Sequence, residues 1–281
     1  MTLNDKIQTM DAQFFDEYTS QQAIRKYTRA TAGYGISHLL EHGYRDVYSQ
    51  ALDRLPPEIK REGIRVLEFG CGGGMNLIRL FSLLNDKGYK VESAVGTDFS
   101  PVLIESANQE AKSYLPDSEA NNLEFHVARN EELVSGLSAA MAASPEQLAN
   151  SFHLIIGVNT IRYCHAAKRQ LDCARDIYHL LAPGGICVVI DMNNRYPCFR
   201  SDLKNRLRRI KVEQCYVPSL EEYTAPFEET GFEVLRSEHF CWVPHSAGPF
   251  MTFLFSGLTP LLNLVARSRA MRSLVVSKKP E

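Results

Sequence analysis

The stretch from Val66 to Asn76 constrains the fold of this chain more than any other part of the sequence. The apolar run from Ile64 to Phe69 predicts a buried strand, and the apolar spacing from Met75 to Leu83 predicts a helix. Four glycines separate the two, at Gly70, Gly72, Gly73 and Gly74. Because glycine lacks a Cβ and tolerates positive φ, a ligand can lie against the bare backbone here, facing the amides of the helix N-terminus. The stretch predicts a site for a nucleotide-like ligand; the alternative is an ordinary strand–turn–helix with an accidental glycine cluster.

The spacing of the glycines distinguishes two ligand classes. A dinucleotide fingerprint requires G-x-G-x-x-G, and Met75 occupies the position of its third glycine. The observed pattern is E-x-G-x-G-x-G, formed by Glu68, Gly70, Gly72 and Gly74. This pattern resembles motif I of the class I S-adenosylmethionine (SAM)-dependent methyltransferases.

The rest of the chain supports the same resemblance. Strand and helix patterns alternate, which predicts a parallel sheet covered on both faces. The turn at Pro183-Gly184-Gly185 is similar to the one that precedes strand five in the family. The predicted strands are Arg65–Phe69, Val91–Thr97, Leu123–Val127, Leu154–Val158, Ile186–Asp191, Phe232–Phe240 and Ser273–Ser277. The resemblance implies an α/β fold, with a seven-stranded, mostly parallel Rossmann-like sheet and helices on both faces.

Two regions lie outside this minimal core. Residues 1–57 have irregular helical spacing and end at Pro56-Pro57, so we predict an N-terminal helical cap. The core then spans residues 58–281, with an apolar insertion at about 244–270 between strands six and seven. Whether the cap covers the SAM site or only packs on the sheet remains open.

The resemblance assigns cofactor contacts to several strand ends. The motif I residues it implies are Glu68, Gly70, Cys71, Gly72, Gly74 and Asn76. Asp98 ends strand two and is expected to accept hydrogen bonds from the ribose hydroxyls, as a carboxylate does in dinucleotide folds. Phe99 and Ser100 stand beside it. Asn159 ends strand four, at the edge that faces the transferred methyl group in the family.

The third motif departs from the family pattern. Arg129 stands where the family usually places an acid that meets the adenine amino group, and arginine accepts no hydrogen bond. The adenine contact is therefore expected from the amide of Asn130, or from backbone and Phe99. The cofactor implied is SAM, which methyl transfer converts to S-adenosylhomocysteine.

Methyl transfer requires alignment of the nucleophile with an already activated methyl group. A hydroxyl acceptor also needs a proton acceptor, for which histidine is the usual residue. The candidates are His165, after strand four, and His38 and Tyr34 in the cap, with His239 and His245 as further alternatives. We predict a small-molecule, lipid-head or saccharide acceptor, methylated first at oxygen and second at nitrogen.

Composition limits the partners and the compartment. The net charge is −2, which gives no global attraction to nucleic acid. Seven cysteines without a C-x-x-C pair predict a reducing compartment, with no disulfide framework and no metal site. The polar N-terminus lacks the apolar core of a signal peptide, so a cytoplasmic location is expected. The rival functions are SAM binding without methyl transfer and nucleic-acid methylation.

Two further stretches leave alternatives open. Seven cations between Arg195 and Lys211 suit an anionic substrate or surface, or form a solvated helix face. The segment from Gly248 to Ala266 is almost entirely apolar and is followed by arginines. It is interpreted either as a peripheral membrane contact or lipid-like pocket, or as a buried helical insertion or homodimer interface.

Overall fold

The computed structural model describes residues 40–196, 217–243 and 248–281. Several predictions fall outside these residues: most of the cap, including Tyr34 and His38, the cations from Arg200 to Lys211, and His245.

Seven strands form one sheet in the order β3-β2-β1-β4-β5-β7-β6. Their bounds are β1 Ile64–Phe69, β2 Val91–Asp98, β3 Leu123–Val127, β4 Phe152–Val158, β5 Leu181–Met192, β6 Glu233–Phe240 and β7 Arg272–Lys278. The pairs from β3 to β5 are parallel, and β7 runs antiparallel to both of its neighbours. The predicted fold class, a seven-stranded and mostly parallel Rossmann-like sheet with helices, is confirmed.

Helices connect the strands. The α-helices that the structure describes are α1 Arg45–Leu52, α2 Ile59–Glu62, α3 Met75–Asp86, α4 Pro101–Tyr114, α5 Asp117–Ala120, α6 Leu133–Met141, α7 Pro145–Leu148, α8 Ile161–Ala166, α9 Gln170–Leu180, α10 Leu220–Thr230 and α11 Pro249–Ala266. A π-helical turn, Leu40–Tyr44, precedes α1, and 3-10 turns cover Asn130–Glu132 and Arg267–Arg269.

Side chains of β1 point alternately to the two faces of the sheet, so they contribute to two separate hydrophobic clusters. Ile64 and Val66 face a cluster that includes residues of α1, α3 and α4. Leu67 and Phe69 face a second cluster that includes residues of α6, α8, α9 and α10. Because successive strand residues point to opposite faces, Glu68 lies on the same face as Val66, toward α1 and α3.

The start of β5 differs from its predicted position, and the segment between β3 and β4 contains a helix break. β5 begins at Leu181, because Leu181 pairs with Phe152 before the register shifts and Ile186 pairs with Leu154. Between β3 and β4 the helix α6 ends at Met141, because Ala142 has φ 51°, and Ser144 caps a new helix. The other six strands agree with their predicted bounds to within two residues.

The apolar insertion forms α11, and Thr252 is its only buried residue. By length and composition alone, it is the one helix among the described residues that could cross a membrane. The interpretation of this segment as a buried helical insertion is therefore wrong. No element among residues 40–196, 217–243 and 248–281 covers its apolar side chains, which remain largely exposed.

Candidate functional site

The glycine turn lies at the carboxyl end of β1 and has a left-handed backbone at three positions. The φ angles are 63° at Gly70, 54° at Gly72 and 77° at Gly74. A Cβ at Gly70 would stand 2.1 Å from Thr160 Oγ1, and one at Gly74 would stand 2.6 Å from Phe125 Cζ. A Cβ at Gly72 would meet no atom within 4 Å. Packing of the chain itself thus excludes side chains at Gly70 and Gly74, whereas Gly72 faces open space.

Two hydrogen-bonded side chains, Asn76 and Tyr48, hold the acid Glu68 behind this turn. Glu68 is 2% exposed, and its Oε1 accepts a hydrogen bond from Asn76 Nδ2 at 2.8 Å. Asn76 Oδ1 in turn accepts from the Tyr48 hydroxyl at 3.0 Å. Glu68 Oε2 has no hydrogen-bond partner among the residues described. Burial raises the pKa of Glu68 to about 8, so this acid is largely neutral at pH 7 in the folded chain.

The raised pKa of Glu68 predicts a pH-dependent stability. A carboxyl with a folded pKa of about 8 against an ordinary 4.5 contributes stability below pH 4.5 that is lost as pH rises through 8. Between those limits the free energy of unfolding should fall by up to about 1 kcal/mol per pH unit. Glu68→Gln should remove this component, measured by urea unfolding at several pH values. Glu105→Gln, at an exposed position, is the control, and an unchanged slope in Glu68→Gln would contradict the assignment.

Asp98 ends β2 opposite the glycine turn. Its Oδ2 accepts a hydrogen bond from the Gly72 amide at 3.0 Å, and its Oδ1 accepts one from the Ser100 amide at 2.9 Å. Burial raises the pKa of Asp98 to about 6, against the lowering effect of these two hydrogen bonds. Ser100 also caps α4 by accepting from the Leu103 amide. The Asp98 carboxylate therefore ties the glycine turn of β1 to the end of β2.

A buried polar cluster occupies the ends of β4, β5 and β7. Arg162 Nη1 donates to Asp191 Oδ1 and to the Asn159 carbonyl oxygen, each at 2.8 Å. Arg272 Nη1 donates to Asn159 Oδ1 at 2.6 Å. Asn159 itself has φ 57°. Two buried guanidinium groups against one buried carboxylate give this edge an excess of positive charge.

The Arg162–Asp191 ion pair is expected to be important for stability. Its side chains are 9% and 1% exposed, so loss of the carboxylate leaves a buried cation without its counter-charge. Asp191→Ala should lower the free energy of unfolding by about 3 kcal/mol, measured by urea unfolding. The matched control is Asp172→Ala, since the Arg169–Asp172 pair is 43% and 42% exposed; its cost should stay below about 1 kcal/mol. Equal costs would contradict this interpretation.

The third predicted motif lies next to the glycine turn. The Asn130 amide donates to Thr160 Oγ1, the atom that a Cβ at Gly70 would strike. Arg129 instead forms an ion pair with Glu131 at 2.8 Å, and Phe99 is half-buried beside Asp98. Asn130 is thus brought to the turn, whereas the guanidinium of Arg129 is partly solvated.

His165 faces helix α10. Its ring packs edge-on against Tyr223 of α10, with centroids 5.6 Å apart, and it lines a groove of about 600 Å³ with Glu222 and Lys168. Burial lowers its pKa. His239, the other alternative within the described chain, is buried in the sheet with its Nδ1 3.3 Å from Ser273 Oγ.

Sequence reasoning missed several residues of the site. Tyr48 lies 28 positions before its partner Asn76. Arg272 lies 113 positions after its partner Asn159. Neither carries a local pattern that would have singled it out. Thr160 and Asp191 stood at predicted strand ends, which was the available signal, but their partners were not deducible from spacing.

The chain is similar to known methyltransferases. A family model described as a methyltransferase domain matches residues 40–237, which include the glycine turn, Asp98 and Asn159. The chain belongs to this methyltransferase family. Its SAM-dependent class, its enzymatic nature and SAM as methyl donor, all predicted above, are confirmed.

Individual relatives of this methyltransferase are distant. The citrinin polyketide synthase of Monascus ruber is 28% identical over 148 residues, which is 53% of this chain but only 5% of the synthase. Magnesium protoporphyrin IX methyltransferase (ChlM) from Synechocystis PCC 6803, solved with bound SAH, is 12% identical; the match covers 95% of this chain and 99% of that one with a TM-score of 0.58. The [4+2]-cyclase SpnF is 14% identical, with coverages of 84% and 81% and a TM-score of 0.53. At these identities the two structures show the fold alone.

The residues present fit SAM. Gly72 leaves open space where a side chain would project, Glu68 retains a buried oxygen without a partner, and Asp98 ends the neighbouring strand. Gly70, Gly72, Gly74 and Asp98 would hold the cofactor. Asn76 donates a hydrogen bond to Glu68, so its amide acts by positioning that acid.

Proposed function

We propose that this methyltransferase transfers the methyl group of SAM to a small, lipid-like acceptor, at oxygen first and at nitrogen as the second choice. When bound, SAM supplies an electrophilic methyl group on a sulfonium. The protein contributes binding, alignment and exclusion of water. One observation carries the acceptor class: Arg272, which shares the polar edge with Asn159 and Arg162, opens β7 six residues after the exposed apolar helix α11 ends.

The charge of the polar edge at Asn159, Arg162 and Arg272 favours an acceptor with a polar or anionic head. Arg272 is 4% exposed, and its Nε has no hydrogen-bond partner among the described residues. Burial raises the pKa of Tyr44, and the neighbouring Arg272 guanidinium opposes that rise. A neutral phenol and a guanidinium at the sheet edge suit a hydroxyl or carboxylate on the acceptor. The fold is compatible with such molecules, since the ChlM neighbour is named for magnesium protoporphyrin IX.

The proton acceptor is proposed among His165, His38 and Tyr34. The His165 ring packs against Tyr223 of α10 and lines the groove between α8 and α10, so an acceptor that uses this base would enter that groove. Replacement of each residue by Ala (Tyr34→Phe for the phenol) should identify the base as the variant that loses turnover while keeping SAM affinity.

Calorimetric titration with SAM, followed by mass spectrometry of acceptor mixtures, tests the proposal. Binding, together with a lipid fraction that gains one methyl group, is the expected result. Methylation confined to RNA or DNA would overturn the acceptor class. Absence of binding would overturn the function.

A second candidate is SAM binding without methyl transfer. Two observations favour it: the acid of the third motif is replaced by Arg129, and one neighbour of the same fold is named as a [4+2]-cyclase. Binding of SAM without any methylated product would support this candidate over the first.

A further inference from the structure

The outer face of α11 is the most apolar surface that the structure describes. Of the ten exposed large hydrophobic side chains in the described residues, all but Tyr114 and Val127 lie on this helix. Phe250 is 75% exposed, Phe253 80% and Leu264 83%. The complete set is Phe250, Met251, Phe253, Leu254, Leu258, Leu261, Leu264 and Val265.

The polarity of α11 is reversed relative to an ordinary surface helix. At about 100° per residue, the exposed side chains cover roughly half of the cylinder. The opposite face holds Thr252, which is buried, and Phe255 and Thr259, which are half-buried. Asn263, on the same side of the helix as Thr252, accepts a hydrogen bond from Trp242 Nε1 at 2.7 Å. A helix that packs on a soluble body normally turns its apolar stripe inward, whereas this one turns its hydrocarbon outward.

The two strands that flank the helix meet at the same edge of the sheet. β6 ends at Phe240 and β7 begins at Arg272, and these two residues are register partners. A helix that crossed a bilayer would need its ends on opposite sides of it. With Pro260 inside the helix and a length of about 27 Å at 1.5 Å per residue, α11 suits a position in the plane of a surface.

The chemistry of this face fits lipid better than protein. Protein interfaces carry a polar rim and about one hydrogen bond per 100–200 Å², whereas the outer half of α11 carries only apolar side chains and Gly257. No acid occurs from Gly248 to Lys278. At the C-terminal end of the helix, Arg269 is exposed and Arg267, paired with Glu238, is 54% exposed. Apolar side chains flanked by arginines suit the headgroup boundary of an anionic bilayer.

We propose that α11 lies flat on an anionic membrane, with its outer face in the headgroup–acyl boundary and Arg267 and Arg269 at the headgroups. The ends of β6 and β7 then face the bilayer, so the polar edge at Arg272 opens toward lipid-borne molecules. This docking deepens the proposed lipid-like acceptor but does not depend on methyl transfer, because vesicle binding needs no substrate.

Vesicle flotation of the full chain tests the docking. Mixed phosphatidylserine–phosphatidylcholine vesicles should carry the protein, and phosphatidylcholine alone should carry less. The double variant Phe253→Asp/Leu264→Asp should reduce the bound fraction at least about tenfold, since two apolar side chains that enter the bilayer would be replaced by charges. Because both side chains are at least 80% exposed, its thermal unfolding and its SAM affinity should match the wild type.

Two control variants separate docking from general stickiness. Tyr114→Asp removes an exposed aromatic ring on α4 and should leave flotation unchanged, and Phe253→Leu should retain binding. Failure of the wild type to float would overturn the proposal, whereas SAM titration would still report on the methyltransferase function. Light scattering that shows a dimer, dispersed by the Asp variants without any vesicle binding, would overturn it in favour of self-association.

Discussion

Asp98→Ala is expected to weaken SAM binding by at least about a hundredfold, because charge-assisted hydrogen bonds contribute about 1.5–3 kcal/mol each. The carboxylate is already aligned by the amides of Gly72 and Ser100, at 3.0 Å and 2.9 Å. By resemblance, its remaining lone pairs meet the two ribose hydroxyls. Calorimetric titration with SAM measures the loss directly.

The protonation of Asp98 adds a second readout. Since its pKa is about 6, the charged acceptor is present above that pH and is lost as pH falls through it. SAM affinity should therefore decline below pH 6 in the wild type and lose this dependence in Asp98→Ala.

Asp117→Ala is the control, since this exposed aspartate opens α5 and should leave both affinity and profile unchanged. Wild-type affinity in Asp98→Ala would remove Asp98 from the cofactor site.

Gly72→Ala should weaken SAM binding strongly while leaving a folded protein. The new Cβ would meet no protein atom within 4 Å, so no clash within the chain is expected. Its φ of 54° costs the alanine about 1–2 kcal/mol. The methyl group would instead occupy space that the cofactor requires, so SAM affinity should fall by at least about a hundredfold, a cost comparable to overpacking of a buried site.

A matched variant isolates the steric effect from backbone strain. Gly231, the C-cap of α10, also has a positive φ, of 97°, and open space around a Cβ. Gly231→Ala should lower stability by a comparable amount with SAM affinity unchanged. Equal affinity losses in the two variants would indicate destabilisation rather than contact. Gly70→Ala is less informative, because its Cβ would strike Thr160 and the fold itself would suffer.

The sequence alone determined the scaffold and the cofactor turn. The apolar run of β1, the glycines after it and Asp98 at the next strand end are local signals, and each depends on residues within a few positions of one another. Six strands could be placed to within two residues for the same reason. The early start of β5 escaped prediction, because the Leu181–Phe152 pairing is a contact between distant segments.

Tertiary structure decided which side chains share the site. Glu68 is held by Asn76 and Tyr48, and Asn159 is held by Arg162 and Arg272; these partners meet only when α1, β4 and β7 pack together. It also decided the environment of α11. Hydrophobicity is a property of the sequence, and the apolar character of that segment was evident from it. Burial depends on whether another element lies opposite, and only the packed chain shows that the outer face of α11 has none among the described residues.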